Sequence, residues 1–288
     1  MPSGQPGVLA LRPLTAGELL DSAVALLRSR GGPLIGLGLL AAALEQAVLF
    51  PLRRMVDLDI RYLPADDRWP MWTVLLAVGF ATEVLIITLL GGVASSAAPR
   101  ALLGPAAPRL GRSVAALVTV AVVAALLCGL AVYTVRAWPL TLFLLALLTV
   151  PLWCWLYGSL GLLAPTVVIE RLRPLAAMGR AIRLAQRRGL RTARIRVMGY
   201  LGWVSIRLAW GTGSLLLLQL VYTPPNTTMD NVLMAVVYFG INALAYPMLA
   251  CLDTVLYVDV RMRSEGLDIA LRRSLHRRVD ATAALVGR

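Results

Sequence analysis

The sequence predicts an all-α, polytopic membrane protein: a six-helix transmembrane bundle with an N-terminal amphipathic helix and a basic cytoplasmic helix between the fourth and fifth spans. Hydrophobic residues make up 59% of its 288 residues and charged residues only 15%, against about 45–50% and about 25% in globular proteins. Mean hydropathy is +0.76. A water-soluble fold of this length could not bury so much apolar surface, which excludes most classes of soluble enzyme.

Six apolar segments are each long enough to cross a hydrocarbon core of about 30 Å. They cover residues 33–52, 71–98, 113–135, 137–169, 197–221 and 232–258. The fourth is longer than one crossing needs and contains Pro139, Pro151 and Pro165. We therefore expect it to be kinked, tilted or continued into the cytoplasm, with a split into two short segments as the alternative.

Residues 1–32 lack the pattern of a signal peptide and are expected to form a cytoplasmic N-terminal region. Within it, Ala16–Arg30 places apolar residues on one helical face, and Thr15 followed by Glu18 matches a capping box. Two interpretations remain open: an amphipathic helix lying on the membrane surface, or a cytosolic helix packed on the bundle.

The distribution of arginine predicts the orientation. The net charge is +13, and every basic residue is arginine. The N-terminal region, the loops after the second and fourth segments and the tail 259–288 carry 22 arginines, whereas the opposite side carries five, Arg53 and Arg54 among them. The positive-inside rule then places both termini in the cytoplasm of a bacterial inner membrane.

The link between the fourth and fifth segments is the most basic stretch of the chain. Five arginines step by three and four along Gly179–Arg196, which places them on one face of a helix: Arg180, Arg183, Arg187, Arg191 and Arg194. Such a helix could dock on anionic lipid headgroups, at about 1 kcal/mol per basic residue. The alternative is that these arginines only enforce topology. Nucleic acid is not expected as a partner.

Polar residues inside the apolar segments are the best sequence-based indicators of function, because each ionisable group costs about 2.5–3.5 kcal/mol at the centre of a membrane helix. Glu45, Glu83, Arg207 and Asn242 are predicted near mid-depth, with an ion pair between Arg207 and one of the two glutamates. Asp253 lies closer to the cytoplasmic side and could neighbour the basic loop. These groups either line a cavity for a proton, ion or lipid headgroup, or form a buried network that fixes helix order.

The exit of the last segment carries charges of alternating sign. This exit motif consists of Asp259, Arg261, Arg263, Glu265 and Asp268. Asp259 with Arg263, and Arg261 with Glu265, are spaced to pair on a continuing helix, and Gly266 permits a turn. We expect exposed pairs that hold the exit against the basic loop.

Three stretches together resemble the membrane-domain family associated with glycerophosphoryl diester phosphodiesterases, in its actinobacterial form. They are Leu11–Asp21, Ala164–Arg171 with its continuation Pro174–Ala177, and Tyr257–Asp268. The resemblance implies a six-helix membrane module that stands alone, without the catalytic domain. A phosphodiesterase barrel would need about 250 further residues.

No catalytic, cofactor-binding or metal-ligating set can be assembled. The three cysteines are widely spaced, and His276 is the single histidine. The sequence therefore favours a non-catalytic membrane module that scaffolds or regulates an unidentified membrane or envelope partner. The alternative is a small transporter or lipid-translocating protein that uses Glu45, Glu83 and Arg207; an intramembrane hydrolase ranks last. A cavity joining these three residues would favour transport, and a dry, tightly paired bundle would oppose it.

Overall fold

A computed structural model describes residues 9–56, 68–104, 107, 110–111, 113–137, 151–187, 190–222, 227–277 and 281–286, which form helices and no strand. In chain order the helices are α1 (Ala16–Val56), α2 (Trp69–Ser96), α3 (Ala98–Leu103), α4 (Val114–Ala137), α5 (151–160), α6 (Leu163–Ile169), α7 (Pro174–Arg187), α8 (Arg191–Gln219), α9 (Thr227–Glu265), α10 (Leu267–His276) and α11 (Ala281–Val286).

Six stretches of the described chain are long and apolar enough to cross a membrane. They are Gly32–Val56, Trp69–Ser96, Val114–Thr134, Pro151–Ile169, Arg191–Leu218 and Thr227–Glu265. The predicted class, an all-α six-helix bundle of a multi-pass membrane protein, is confirmed. Part of the predicted fourth segment, residues 138–150, lies outside the described residues.

The first helix is longer than predicted. No boundary separates an N-terminal helix from the first span, because α1 continues for 41 residues from Ala16 to Val56. Leu19 and Leu26, at its start, lie in the same buried core as Leu34 in the span. A helix continuous with a span and buried on this face supports the second interpretation above, packing on the bundle, rather than lying flat on the membrane.

The predicted capping box begins α1. The Thr15 amide donates to Glu18 Oε2 at 2.7 Å, and the Glu18 amide donates to Thr15 Oγ1 at 3.3 Å. Arg12 adds an ion pair to Glu18 at 2.5 Å. The hydrogen bond from Arg12, followed by those from Thr15, lowers the pKa of Glu18 to about 2. Glu18 therefore stays ionised, and the cap intact, until the pH falls towards that value.

Helices α1 and α9 run antiparallel and form the spine of the bundle. A Cβ atom on Gly38 would lie 2.5 Å from Pro247 Cγ and 2.8 Å from the Ala243 oxygen, so the two backbones approach too closely for any larger residue. Helix α2 packs on both, α4 packs on α2, and α8 packs on α9.

The described part of the fourth span is broken. Helix α5 ends at residue 160, residues 161–162 form a turn, and α6 follows. Pro165 lies in the first turn of α6, where its missing amide hydrogen costs no helical hydrogen bond. Just before the break α5 lies close against α8, since a Cβ on Gly158 would lie 2.4 Å from Ala193 Cα.

The predicted continuous basic helix Gly179–Arg196 is wrong. Helix α7 ends at Arg187 and α8 begins at Arg191. Gly189, a poor helix former, lies between them in the sequence. The five arginines therefore belong to two helices, and the single stripe expected on one face does not form.

Candidate functional site

A cavity of about 360 Å³ lies between α1, α2, α8 and α9. We call it the polar cavity. The side chains that line it include Glu45, Arg53, Glu83, Arg207, Asn242 and Tyr246. Four of the five polar residues predicted at membrane depth therefore meet here, and only Asp253 does not.

Arg207 and Glu83 form the predicted intramembrane ion pair. The Arg207 Nη1 and Nη2 atoms each lie 3.0 Å from one Glu83 carboxylate oxygen. This two-point geometry is the strongest form of an arginine–carboxylate contact. The Tyr200 hydroxyl lies 3.4 Å from the same carboxylate. The pair joins α8 to α2 by an ion pair, beside the aromatic contact of Phe80 with Tyr200.

Glu45 takes its partners from α1 and α9. Its carboxylate accepts hydrogen bonds from Asn242 Nδ2 at 2.8 Å, from the Tyr246 hydroxyl at 2.5 Å and from Gln46 Nε2 at 3.2 Å. Glu45 is buried, with 4% of its surface exposed. The predicted choice between Glu45 and Glu83 as the partner of Arg207 is thus decided in favour of Glu83.

Arg53 was expected in a loop, and this expectation is wrong. Because α1 continues to Val56, Arg53 lies inside the bundle with 2% of its surface exposed and donates to Gln46 Oε1. Its spacing of seven residues from Gln46 and eight from Glu45 places all three on one face of α1. That spacing is the sequence signal that could have identified Arg53.

Three buried polar atoms at this cavity have no hydrogen-bond partner in the part of the chain that is described: Arg53 Nη1, Arg207 Nε and Asn242 Oδ1. Leaving a buried donor or acceptor unpaired costs about 1–3 kcal/mol. The three side chains that carry these atoms, two cationic donors and one acceptor, all line the polar cavity. A ligand that satisfied all three atoms would need acceptor oxygens for the two arginines and one hydrogen-bond donor for the asparagine.

Asp253 forms a second buried ion pair, with Arg196. The Arg196 Nε and Nη2 atoms lie 2.7 Å and 3.0 Å from the two Asp253 oxygens, and Nη1 donates to the Tyr157 carbonyl. The prediction that Asp253 neighbours the basic loop is confirmed, whereas Arg196 was not singled out. A Cβ on Gly161 would lie 2.4 Å from Arg196 Nε, so the break between α5 and α6 leaves room for this pair.

The arginine-rich end of the bundle, where α1 begins and α9 ends, is cross-linked by ion pairs. We call it the basic end. Arg180 contacts Glu170 at 2.9 Å and Glu265 at 2.6 Å, and Arg261 contacts Glu265 at 3.0 Å. The Tyr257 hydroxyl donates to Glu170 at 2.5 Å. Burial acts to lower the pKa of Arg180, but hydrogen bonds to Glu265 and Glu170 outweigh it and raise the pKa above its ordinary value.

Asp259 is the other centre of the basic end. Its carboxylate accepts from the Leu14 amide at 2.8 Å, from Arg191 at 2.6 Å and from Arg263 at 3.0 Å. Both predicted pairs of the exit motif are confirmed, but they are not exposed as expected: the Asp259 side chain has no accessible surface and that of Arg261 only 4%.

The remaining members of the predicted sets are less involved. Gly266, at φ +64°, makes the predicted turn, and Asp268 follows in the first turn of α10. Arg187 reaches Glu265 at 3.3 Å, while Arg183 and Arg194 are exposed. Three of the five arginines predicted to meet lipid phosphates therefore pair with carboxylates of their own chain.

The polar groups form three layers along α8 and α9. The basic end comes first, with Arg191 and Asp259. The Arg196–Asp253 pair follows. The polar cavity, lined by Arg207 and Asn242, lies beyond that pair. Within the described ranges no group of three or more His, Cys, Asp or Glu residues could hold a metal ion. Comparison with family models, curated proteins and solved structures found no match to this chain.

Proposed function

We propose that this multi-pass membrane protein takes a polar ligand into the polar cavity and carries it within the bilayer, as a small transporter or lipid-translocating protein does. The three unpartnered atoms of Arg53, Arg207 and Asn242 carry the proposal. A bundle that used its polar side chains only to fix helix order would satisfy these three atoms, because an unpaired buried polar atom is costly at membrane depth.

The order of the three polar layers indicates from which end of the bundle a ligand enters the polar cavity. The residues of α1 that line the polar cavity lie between Glu45 and Arg53, in the last third of that helix. The Arg196–Asp253 pair and the basic end stand between the cavity and the opposite end of the bundle. We propose that these two layers close one side and that ligand enters from the end where α1 terminates. With the basic end in the cytoplasm of a bacterial inner membrane, that side is outside.

The proposed family membership rests on the basic end. The three stretches that resemble the phosphodiesterase-associated membrane domains meet there: Leu14 of the first and Asp259 of the third share a hydrogen bond, and Glu170 of the second accepts from Tyr257. Residues far apart in sequence thus belong to one contact network. This supports the proposal that the chain belongs to that family of membrane domains.

A second candidate function is a non-catalytic module that scaffolds a protein partner. The observation in its favour is the same basic end. Ion pairs there join α7 and α8 to α9, and Arg183 and Arg194 remain exposed. A stoichiometric partner recovered from native membranes, and lost on replacing these two arginines, would distinguish this candidate from the first.

The first candidate predicts a water-filled cavity that prefers anions. In a chain whose cysteines are replaced by alanine, Thr212→Cys, which lines the cavity, should react with a small anionic methanethiosulfonate several-fold faster than with a cationic one. Trp210→Cys, two residues away and 66% exposed on the opposite face of α8, should react slowly with both because lipid covers it.

The matched control for charge is a pair of neighbouring arginines. Arg53→Gln should remove most of the preference for the anionic reagent, because its guanidinium lies at the cavity. Arg54→Gln should retain it, because Arg54 is exposed on another face of the same helix. Equal, slow labelling of Thr212→Cys and Trp210→Cys would show that the cavity is dry and would contradict the proposal.

A further inference from the structure

A second cavity of about 360 Å³ lies between α2, α4, α5 and α8. Its lining is almost entirely apolar and includes Cys128, Ala131, Val132, Cys154 and Val197. We call it the apolar cavity. All of these residues lie in stretches that can span a membrane. Space of this kind within a bilayer suits hydrocarbon rather than water.

The two cavities are neighbours with a common wall. Leu76, Phe80 and Tyr200 line both of them. Phe80 and Tyr200 meet edge to face with ring centroids 5.6 Å apart, which makes the wall aromatic. The Tyr200 ring thus borders the apolar cavity, and its hydroxyl points to Glu83 on the polar side at 3.4 Å.

We infer that the two cavities together bind one membrane phospholipid, with its headgroup in the polar cavity and an acyl chain in the apolar cavity. This inference rests on the proposed function and names the class of ligand. A small soluble solute would use only the polar cavity and would leave the adjoining apolar cavity without a role.

The unpartnered atoms determine which chemical groups the lipid headgroup must carry. Arg53 Nη1 and Arg207 Nε are donors on cations, and phosphate oxygens are the acceptors that guanidinium groups bind best. Asn242 Oδ1 requires a donor, which a headgroup hydroxyl or ammonium would supply. Glu83 is neutralised by Arg207, and Glu45 already accepts three hydrogen bonds, so neither carboxylate stands unpaired against a phosphate.

The test is a titration of the purified full-length chain in detergent, followed by native mass spectrometry, with three probes. They are dioleoylphosphatidylglycerol, the soluble headgroup analogue glycerol 3-phosphate, and dioleoylglycerol, which lacks phosphate. Phosphatidylglycerol should bind saturably and at least tenfold more tightly than either fragment. Arg53→Gln should weaken its binding at least tenfold, and so should Ala131→Phe, which fills the apolar cavity.

Two control variants match these changes. Arg54→Gln removes an exposed arginine of the same helix, and Val122→Phe enlarges a residue of α4 that is 42% exposed to the surroundings. Both should bind phosphatidylglycerol as the native chain does. Val132→Phe fills the apolar cavity from a second position, and a melting curve for each variant establishes that loss of binding is not loss of folding.

The test distinguishes failure of the lipid inference from failure of the proposed function. Binding of glycerol 3-phosphate as tight as that of the lipid, sensitive to Arg53→Gln and indifferent to Ala131→Phe and Val132→Phe, would overturn the lipid inference and leave the proposed polar-ligand function standing. Saturable lipid binding that both Arg53→Gln and the two filling variants leave unchanged would place the lipid elsewhere and overturn the inference. Absence of saturable binding for all three probes would count against both proposals.

Discussion

Replacing Arg196 by methionine is expected to destabilise the protein by about 3–5 kcal/mol, because it leaves the Asp253 carboxylate buried without its cationic partner. Arg196 and Asp253 have only 2% and 5% of their side chains exposed. The change should lower the midpoint of thermal unfolding by on the order of 10 °C. Unfolding in detergent, followed by size-exclusion chromatography of heated samples, measures it.

The controls for this prediction come from the same two helices. Arg194→Met removes an exposed arginine one half-turn away and should change the midpoint by no more than about 2 °C. The double variant Arg196→Met with Asp253→Leu should recover much of the loss, because it removes both charges and leaves none unpaired. A single Arg196→Met variant as stable as the native chain would show that the pair does not hold α8 to α9.

Replacing Asp259 by alanine is expected to loosen the basic end, at a cost of about 3 kcal/mol. The change leaves the Leu14 amide without its acceptor and removes the shared carboxylate partner of Arg191 and Arg263. The segment just before α1 and helices α8 and α9 thus lose a common contact. We expect a lower melting midpoint and faster proteolysis near the start of α1.

The matched control is Asp268→Ala, a carboxylate of the same motif that lies in the first turn of α10. Its loss should leave proteolysis near α1 unchanged. High salt should also have little effect on the native chain, because the Asp259 side chain is fully buried and its pairs are poorly screened. Equal proteolysis of the Asp259→Ala and Asp268→Ala variants would contradict the proposed role of Asp259.

The sequence predicts those contacts that follow from one rule: a charge in an apolar segment needs a partner. That rule alone predicts that Arg207 pairs with a glutamate and that Asp253 contacts the basic loop. Spacing along one helix predicts the pairs of Asp259 with Arg263 and Arg261 with Glu265. The six spans follow from length and hydropathy in the same direct way.

What could not be predicted depends on contacts between distant parts of the chain. Counting arginines by loop assigns Arg53 to the loop after the first span. In the structure α1 continues for one more turn, so Arg53 is a helix residue buried inside the bundle. At the break in the fourth span, Gly161 leaves room for Arg196 of another helix, a contact that the local sequence does not indicate. Likewise, Arg180 pairs with Glu170 and Glu265, so part of the arginine set expected to face lipid contacts carboxylates of its own chain.

The most direct test of the central claim, that the polar cavity holds a ligand, is native mass spectrometry of the chain extracted gently from its own membranes. We predict a bound phosphate-bearing molecule at one per chain, retained by the Arg54→Gln variant and lost from the Arg53→Gln variant. Recovery of the native chain with an empty cavity and a stoichiometric protein partner would contradict the claim and favour the scaffold.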